Sequence, residues 1–130
     1  NINPNKLRLE LTENLLIKNI DETLEKIKEL FDLGVTLSID DFGTGYSSLA
    51  YLKKLPIHEL KIDQSFIKDI LIDTNDFSIV ETILSIGGKF NLEVIAEGVE
   101  TKEQHEMLVS MGCSYFQGYF FAKPIASSDL

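Results

Sequence analysis

Asp40 and Asp41 stand side by side where an alternating apolar stretch ends, inside the run SIDDFGTGYSSL (Ser38–Leu49). Two adjacent like charges repel and raise each other's pKa. A chain that keeps such a pair at a strand end has a use for clustered negative charge. Further acids recur at corresponding places: Glu10 and Glu13 early in the chain, Asp63 close behind Lys61, and Glu97 and Glu100 near Gln117. Together these are seven carboxylates against one lysine. Divalent cations relieve that crowding. An all-oxygen donor set suits Mg²⁺, Mn²⁺ or Ca²⁺, and no His–Cys set points to Zn²⁺. Adjacent residues at a strand end are expected to point different ways, so Asp40 and Asp41 are expected to face different ions. Two ions about 3.5–4 Å apart can activate water and stabilise in-line attack on phosphorus.

These acids need elements to hold them together. Leu7, Leu9 and Leu11 alternate with Arg8 and Glu10 as a strand does. From Asn19, helical spacing of Ile20, Leu24, Ile27 and Phe31 runs to Gly34, a C-terminal cap. Val35, Leu37 and Ile39 form a second strand. A short helix over Ser48–Lys54 stops at Leu55, because Pro56 disfavours helix in the residue before it. Leu60 and Ile62 mark a third strand. Asp76–Lys89 reads as a helix frayed at Gly87-Gly88, and Leu92–Ala96 as a fourth strand. Thr101 and Gln104 make a capping box that opens a helix ending at Gly112, before a short strand over Tyr115–Gln117.

Strands separated by helices imply parallel pairing with right-handed crossovers. A parallel sheet covered on both faces reads as continuous apolar runs. These strands are instead apolar on one face and polar on the other, which carries Arg8, Glu10, Thr36, Ser38, Asp40, Glu59, Lys61, Asp63, Glu93, Glu97 and Gln117. Helices therefore cover one face, and the other looks into a shared polar space. A (β/α) TIM-type barrel has this arrangement, with its chemistry at the C-terminal strand ends. Five strand–helix units are present where a closed barrel needs about eight, so the expected fold is a partial α/β barrel. His58 and His105 lie away from the strand ends and are expected at the surface.

The 130 residues carry a net charge of -9, with a pI near 4.6. That balance argues against nucleic acid and against direct contact with an anionic membrane, both of which call for basic patches. The single Cys113 allows no internal disulfide, fits a reducing cytoplasm and reads as a small core residue. No signal peptide and no apolar run of about 20 residues is present. The chain begins at Asn1 and reads as a piece of something longer.

Five stretches carry a resemblance. LELTEN (Leu9–Asn14), DDFGTGYSSL (Asp40–Leu49), LKIDQSFI (Leu60–Ile67), VIAEGVET (Val94–Thr101) and QGYFFAKP (Gln117–Pro124) resemble the EAL domain family in order and spacing. The resemblance implies a bacterial signalling phosphodiesterase that hydrolyses cyclic di-GMP to pGpG on a (β/α) barrel with two divalent ions, Mg²⁺ or Mn²⁺. It implies metal-ligand roles for Glu10, Asp40, Asp41, Asp63 and Glu97, with Glu97 also a candidate base. Lys61 would orient water or a phosphate oxygen. Glu13 would brace the loop after Asp41, Glu100 and Gln117 would support the site, and Gly43, Thr44 and Gly45 would lie beside the substrate.

The Glu-Ala-Leu motif that names the family, and the asparagine-bearing strand that follows it, do not occur in these 130 residues. The chain thus matches the C-terminal part of one such domain, its last five strand–helix units. The expectation is an inactive portion of an active parent. The alternative is a degenerate EAL-like receptor that binds cyclic di-GMP without hydrolysing it. Open strand edges near Leu7–Leu11 and Tyr115–Phe121 imply a homo-oligomer.

Overall fold

The computed structural model describes residues 3–13, 20–44 and 49–121. Five parallel strands form one sheet in the order of the sequence: β1 (Arg8–Thr12), β2 (Thr36–Phe42), β3 (Glu59–Ile62), β4 (Glu93–Glu97) and β5 (Tyr115–Gln117). The connecting helices are α1 (Ile20–Asp32), α2 (Leu49–Lys54), α3 (Gln64–Lys68), α4 (Thr74–Lys89) and α5 (Lys102–Ser110). The expected partial barrel is present, with β1 and β5 each paired to one neighbour among the described residues.

Strand alternation sorts the residues as the sequence pattern requires. Leu37, Ile39, Leu60, Ile62 and Ala96 are essentially inaccessible and join Ile67, Val80, Ile83 and Leu108 in the core between sheet and helices. Cys113 belongs to that core, as expected. The opposite face carries a bonded polar layer. Buried Glu59 accepts from Ser38 Oγ at 3.0 Å and pairs with Arg8, tying β1 to β3 across β2. A buried carboxylate is tolerable only when it is paired and hydrogen-bonded in this way.

Several local details differ from expectation. Helix α4 begins at Thr74 rather than Asp76, because the Asp73 carboxylate accepts from the backbone N–H groups of Asn75 and Asp76 and caps it. It runs through Gly87 and Gly88 to Lys89 instead of fraying. A Cβ at Gly87 would lie 2.2 Å from Val94 Cγ2, so that glycine lets the helix lie against β4. Helix α3, not anticipated, is capped by Asp63. The Thr101–Gln104 capping box is formed as expected.

The two histidines are half-buried rather than at the surface. Nδ1 of His58 accepts from the backbone N–H of Leu37 at 3.4 Å, and its ring stacks on Phe31. His105 packs among Phe116, Phe120 and Phe121. Each imidazole is drawn inward by apolar rings on the neighbouring strand or helix.

Candidate active site

The carboxylates converge at the C-terminal end of the sheet through a break in strand regularity. On β2, Ser38 and Ile39 pair in register with Glu59 and Leu60, but Phe42 pairs with Ile62, so one residue is extra. This bulge, with Asp41 at φ +54°, lets Phe42 return to the core side while Asp40 and Asp41 stay together. Residue Asp41 pays for this in the left-handed region that non-glycine residues seldom occupy. The expectation that the two neighbours point different ways does not hold. One oxygen each from Asp40, Asp41 and Glu97 lie within 4.8 Å of one another.

Electrostatics follow from that packing. Burial, then a hydrogen bond with Asp40 and the charge of Asp40, pushes Glu97 up to about 8. The same bond, from the Glu97 carboxyl to the Asp40 carboxylate, holds Asp40 below its ordinary value against the opposing effect of burial. Near neutral pH the two therefore share a proton, with the charge on Asp40. Burial and the charge of Asp40 raise Asp41, and Asp63 adds to the effect.

Lys61 sits beside the cluster, almost completely buried. It pairs with Glu10, lies 3.9 Å from Glu97 and donates to Gln117 Oε1 at 3.3 Å. Burial works against its charge, but Glu10 and the other carboxylates more than offset it, so its pKa is raised. Four strands, β1, β3, β4 and β5, thus meet at one ammonium group. Asp63 does not pair with Lys61; its carboxylate accepts from the backbone N–H and hydroxyl of Ser65 at the start of α3.

Glu13 stands apart from the cluster. It is 2% exposed, and its Oε2 accepts from the backbone N–H of Gly43 at 3.1 Å. Gly43 has φ +104°, and a Cβ there would lie 2.7 Å from Phe66 Cε2. Both the backbone angle and the close ring require glycine. Thr44 donates through Oγ1 to the Asp41 carbonyl at 2.8 Å, closing the turn. Gly45 lies outside the described residues. Glu100 is exposed just before α5, and among the described residues only its backbone N–H is engaged, with Gln104 Oε1. The mouth is a 300 Å³ cavity lined by Asp41, Glu97, Glu100, Gln117 and Tyr119 among others. A larger 490 Å³ cavity lies at the other end of β4 and β5, beside Cys113, away from the carboxylates.

The donor set fits a hard divalent cation. Three carboxylate oxygens are gathered on one spot, and the proton shared by Asp40 and Glu97 occupies the place where positive charge is wanted. Asp40, Asp41 and Glu97 could hold such an ion, with Glu10 one ion pair away through Lys61.

A protein-family model of the EAL domain matches residues 1–124. The chain belongs to the EAL domain family. It is 50% identical over 124 residues to the cyclic di-GMP phosphodiesterase NbdA of Pseudomonas aeruginosa, covering 95% of this chain and 16% of that relative. The solved cyclic di-GMP complex of the PaMucR phosphodiesterase superposes with a TM-score of 0.95 at 44% identity, over 98% of this chain and 52% of that one. BlrP1 of Klebsiella pneumoniae, solved with cyclic di-GMP and manganese or calcium, gives a TM-score of 0.88 at 35% identity over 95% of this chain and 31% of that one. The chain therefore spans under a fifth of that curated relative and about half of the solved PaMucR chain. Among the described residues, no helix is long and apolar enough to cross a membrane.

The bulge was legible in the EAL sequence without being read. Apolar positions at Leu37 and Ile39 should be followed by one at position 41, and the next is Phe42. That skip of one residue marks the extra aspartate.

Proposed function

We propose that this chain supplies the last five strand–helix units of an EAL phosphodiesterase domain that hydrolyses cyclic di-GMP to linear pGpG in the bacterial cytoplasm. The observation that carries the reading is the convergence of Asp40, Asp41 and Glu97 beside Lys61 at the C-terminal strand ends. The resemblance of the chain to phosphodiesterases of cyclic di-GMP supports the substrate.

In this reading Asp40, Asp41 and Glu97 hold Mg²⁺ or Mn²⁺, and Glu10 and Asp63 complete the set for two ions. The cations, when bound, supply charge that stabilises attack on phosphorus and lowers the pKa of water. The chain's own residues do the rest. Glu97 takes a proton from the attacking water as its oxygen bonds to phosphorus. Lys61, fixed by Glu10 and Gln117, donates to a phosphoryl oxygen as negative charge builds on it. The bond from phosphorus to one ribose oxygen breaks, that oxygen takes up a proton, and the ring opens to a linear dinucleotide. Glu13 keeps the Gly43 turn in place, so that Asp41 holds its left-handed conformation. Thr44, Glu100 and Gln117 flank the substrate.

The test is turnover by the intact protein that carries this chain. Metal-dependent appearance of pGpG is expected, lost in Asp40→Asn. Binding of cyclic di-GMP without turnover would make the protein a receptor instead.

A further inference from the structure

On their polar face, β1 and β3 carry one pattern with its signs exchanged. On β1, Arg8 is followed two residues later by Glu10; on β3, Glu59 is followed two residues later by Lys61. Both couples reach across β2, Arg8 to Glu59 and Glu10 to Lys61. Arg8 is level with Thr36, Glu10 is level with Ser38, and Ser38 is level with Glu59. Both ion pairs therefore climb the same step of two residues, about 6.6 Å, from β1 to β3.

The two pairs differ in what holds them. Ser38 and Ile39 pair in register with Glu59 and Leu60, and the register then shifts before Phe42 meets Ile62. Lys61 falls in that interval, opposite the bulge, so the ladder to β2 does not set its height. Glu59 lies just below the shift and is fixed three times over: by the ladder, by the Ser38 hydroxyl at 3.0 Å and by Arg8. Arg8 is itself steadied, since its Nε donates to Thr36 Oγ1 at 3.4 Å, and that hydroxyl donates to the Leu7 carbonyl at 3.1 Å.

Stability alone does not call for these charges. The Glu59 side chain is 1% exposed and that of Arg8 45%. Well-packed apolar residues often hold such a layer as firmly as a buried ion pair does. What the charges add is register. A slip of one residue turns every side chain of a strand to the other face. A slip of two leaves the faces right, but brings Lys61 to Arg8 or Glu59 to Glu10. Either meeting sets like charges together, which is destabilising.

We propose that Arg8 and Glu59 are a positioning pair for Lys61, holding β3 in the one register that delivers its ammonium group to Glu10 beside the carboxylates. The catalytic consequence rests on the phosphodiesterase reading and the placement of Lys61 does not, so the two are measured separately. On the intact protein, kcat and KM for cyclic di-GMP are measured in Mn²⁺. Acetylation of Lys61 by acetic anhydride is followed by peptide mass spectrometry in chelator. Glu59→Gln keeps the shape and the Ser38 hydrogen bond and removes one charge. Arg8→Gln removes the other at a half-exposed position, and Arg8→Glu/Glu59→Arg exchanges the two.

Lys61 acts as charge builds on the phosphoryl oxygen, so each single variant is expected to lower kcat about tenfold with KM nearly unchanged. Lys61 is expected to be acetylated at least about threefold faster in each, the effect of losing one part-exposed ion pair. The exchanged variant is expected to recover both, which a loss of packing would not do. Single variants that keep the wild-type kcat and acetylation rate overturn the positioning role. So does a loss confined to KM, or an exchanged variant no better than the single ones. Acetylation that rises in the single variants and falls again on exchange, in a protein without turnover, upholds the pair and overturns the phosphodiesterase reading. Wild-type turnover in all three variants upholds that reading and overturns the pair.

Discussion

Glu13 reaches across from the end of β1 to accept the backbone N–H of Gly43 at 3.1 Å, immediately after the Asp40–Asp41 pair. A fully buried carboxylate here braces a turn rather than sitting in the carboxylate cluster. Glu13→Ala leaves the half-buried N–H of Gly43 without that acceptor, which costs about 1 kcal/mol of stability. Activity should fall, and Mn²⁺ affinity should fall far less than in Asp40→Asn. Calorimetric Mn²⁺ titration of both variants checks this; equal losses would make Glu13 a ligand.

Asp40→Asn keeps the shape of the side chain and removes its charge. With the charge goes the Glu97 hydrogen bond in its present form and, in the proposed reading, a cation ligand. Loss of such electrostatic stabilisation lowers turnover on the order of a thousandfold. Steady-state hydrolysis at saturating Mg²⁺ is the measurement, and near-normal turnover would remove Asp40 from the site.

The pH response of the metal-free protein has a definite sign. Glu97 holds its proton up to about 8 in the folded chain, against 4.5 for the ordinary group. Between those values the folded state binds more protons than the unfolded state. Stability then falls as pH rises through that window. The lowered pKa of Asp40 acts in the opposite sense, but only below 3.8. Melting curves in chelator should drop from pH 5 to pH 8. Added Mn²⁺ should flatten the slope, because the cation replaces the proton.

Features set by local periodicity or local hydrogen bonds are readable in the sequence, and those set by distant elements are not. Alternation at Leu37, Ile39, Leu60 and Ile62 located strands and core because burial imposes a period of two. The capping box at Thr101 and Gln104 was readable because both hydrogen bonds are local. The ion pairs of Lys61 with Glu10 and Glu97 join residues far apart in the chain, and no local pattern specifies them. Helix α3 was missed because five residues give too short a period to register. The histidines were misplaced because their burial depends on rings contributed by other elements.

The isolated 130-residue chain should self-associate. β1 and β5 are the outer strands of the described sheet, and Leu7, Leu9, Tyr115, Tyr119 and Phe121 are exposed along or beside them. Unpaired strand edges and exposed apolar side chains favour pairing with another copy. Sedimentation equilibrium at micromolar concentration should show a dimer or larger species, and a stable monomer would contradict it. The same preparation should release no pGpG, since a Glu-Ala-Leu motif is not among its residues.

The most direct test of the account is cyclic di-GMP turnover by the intact protein, followed by chromatographic separation of the dinucleotides. The account predicts pGpG formed in Mg²⁺ or Mn²⁺, none in chelator, and a loss on the order of a thousandfold in Asp40→Asn. Cyclic di-GMP that is bound and recovered intact in both metals would contradict it.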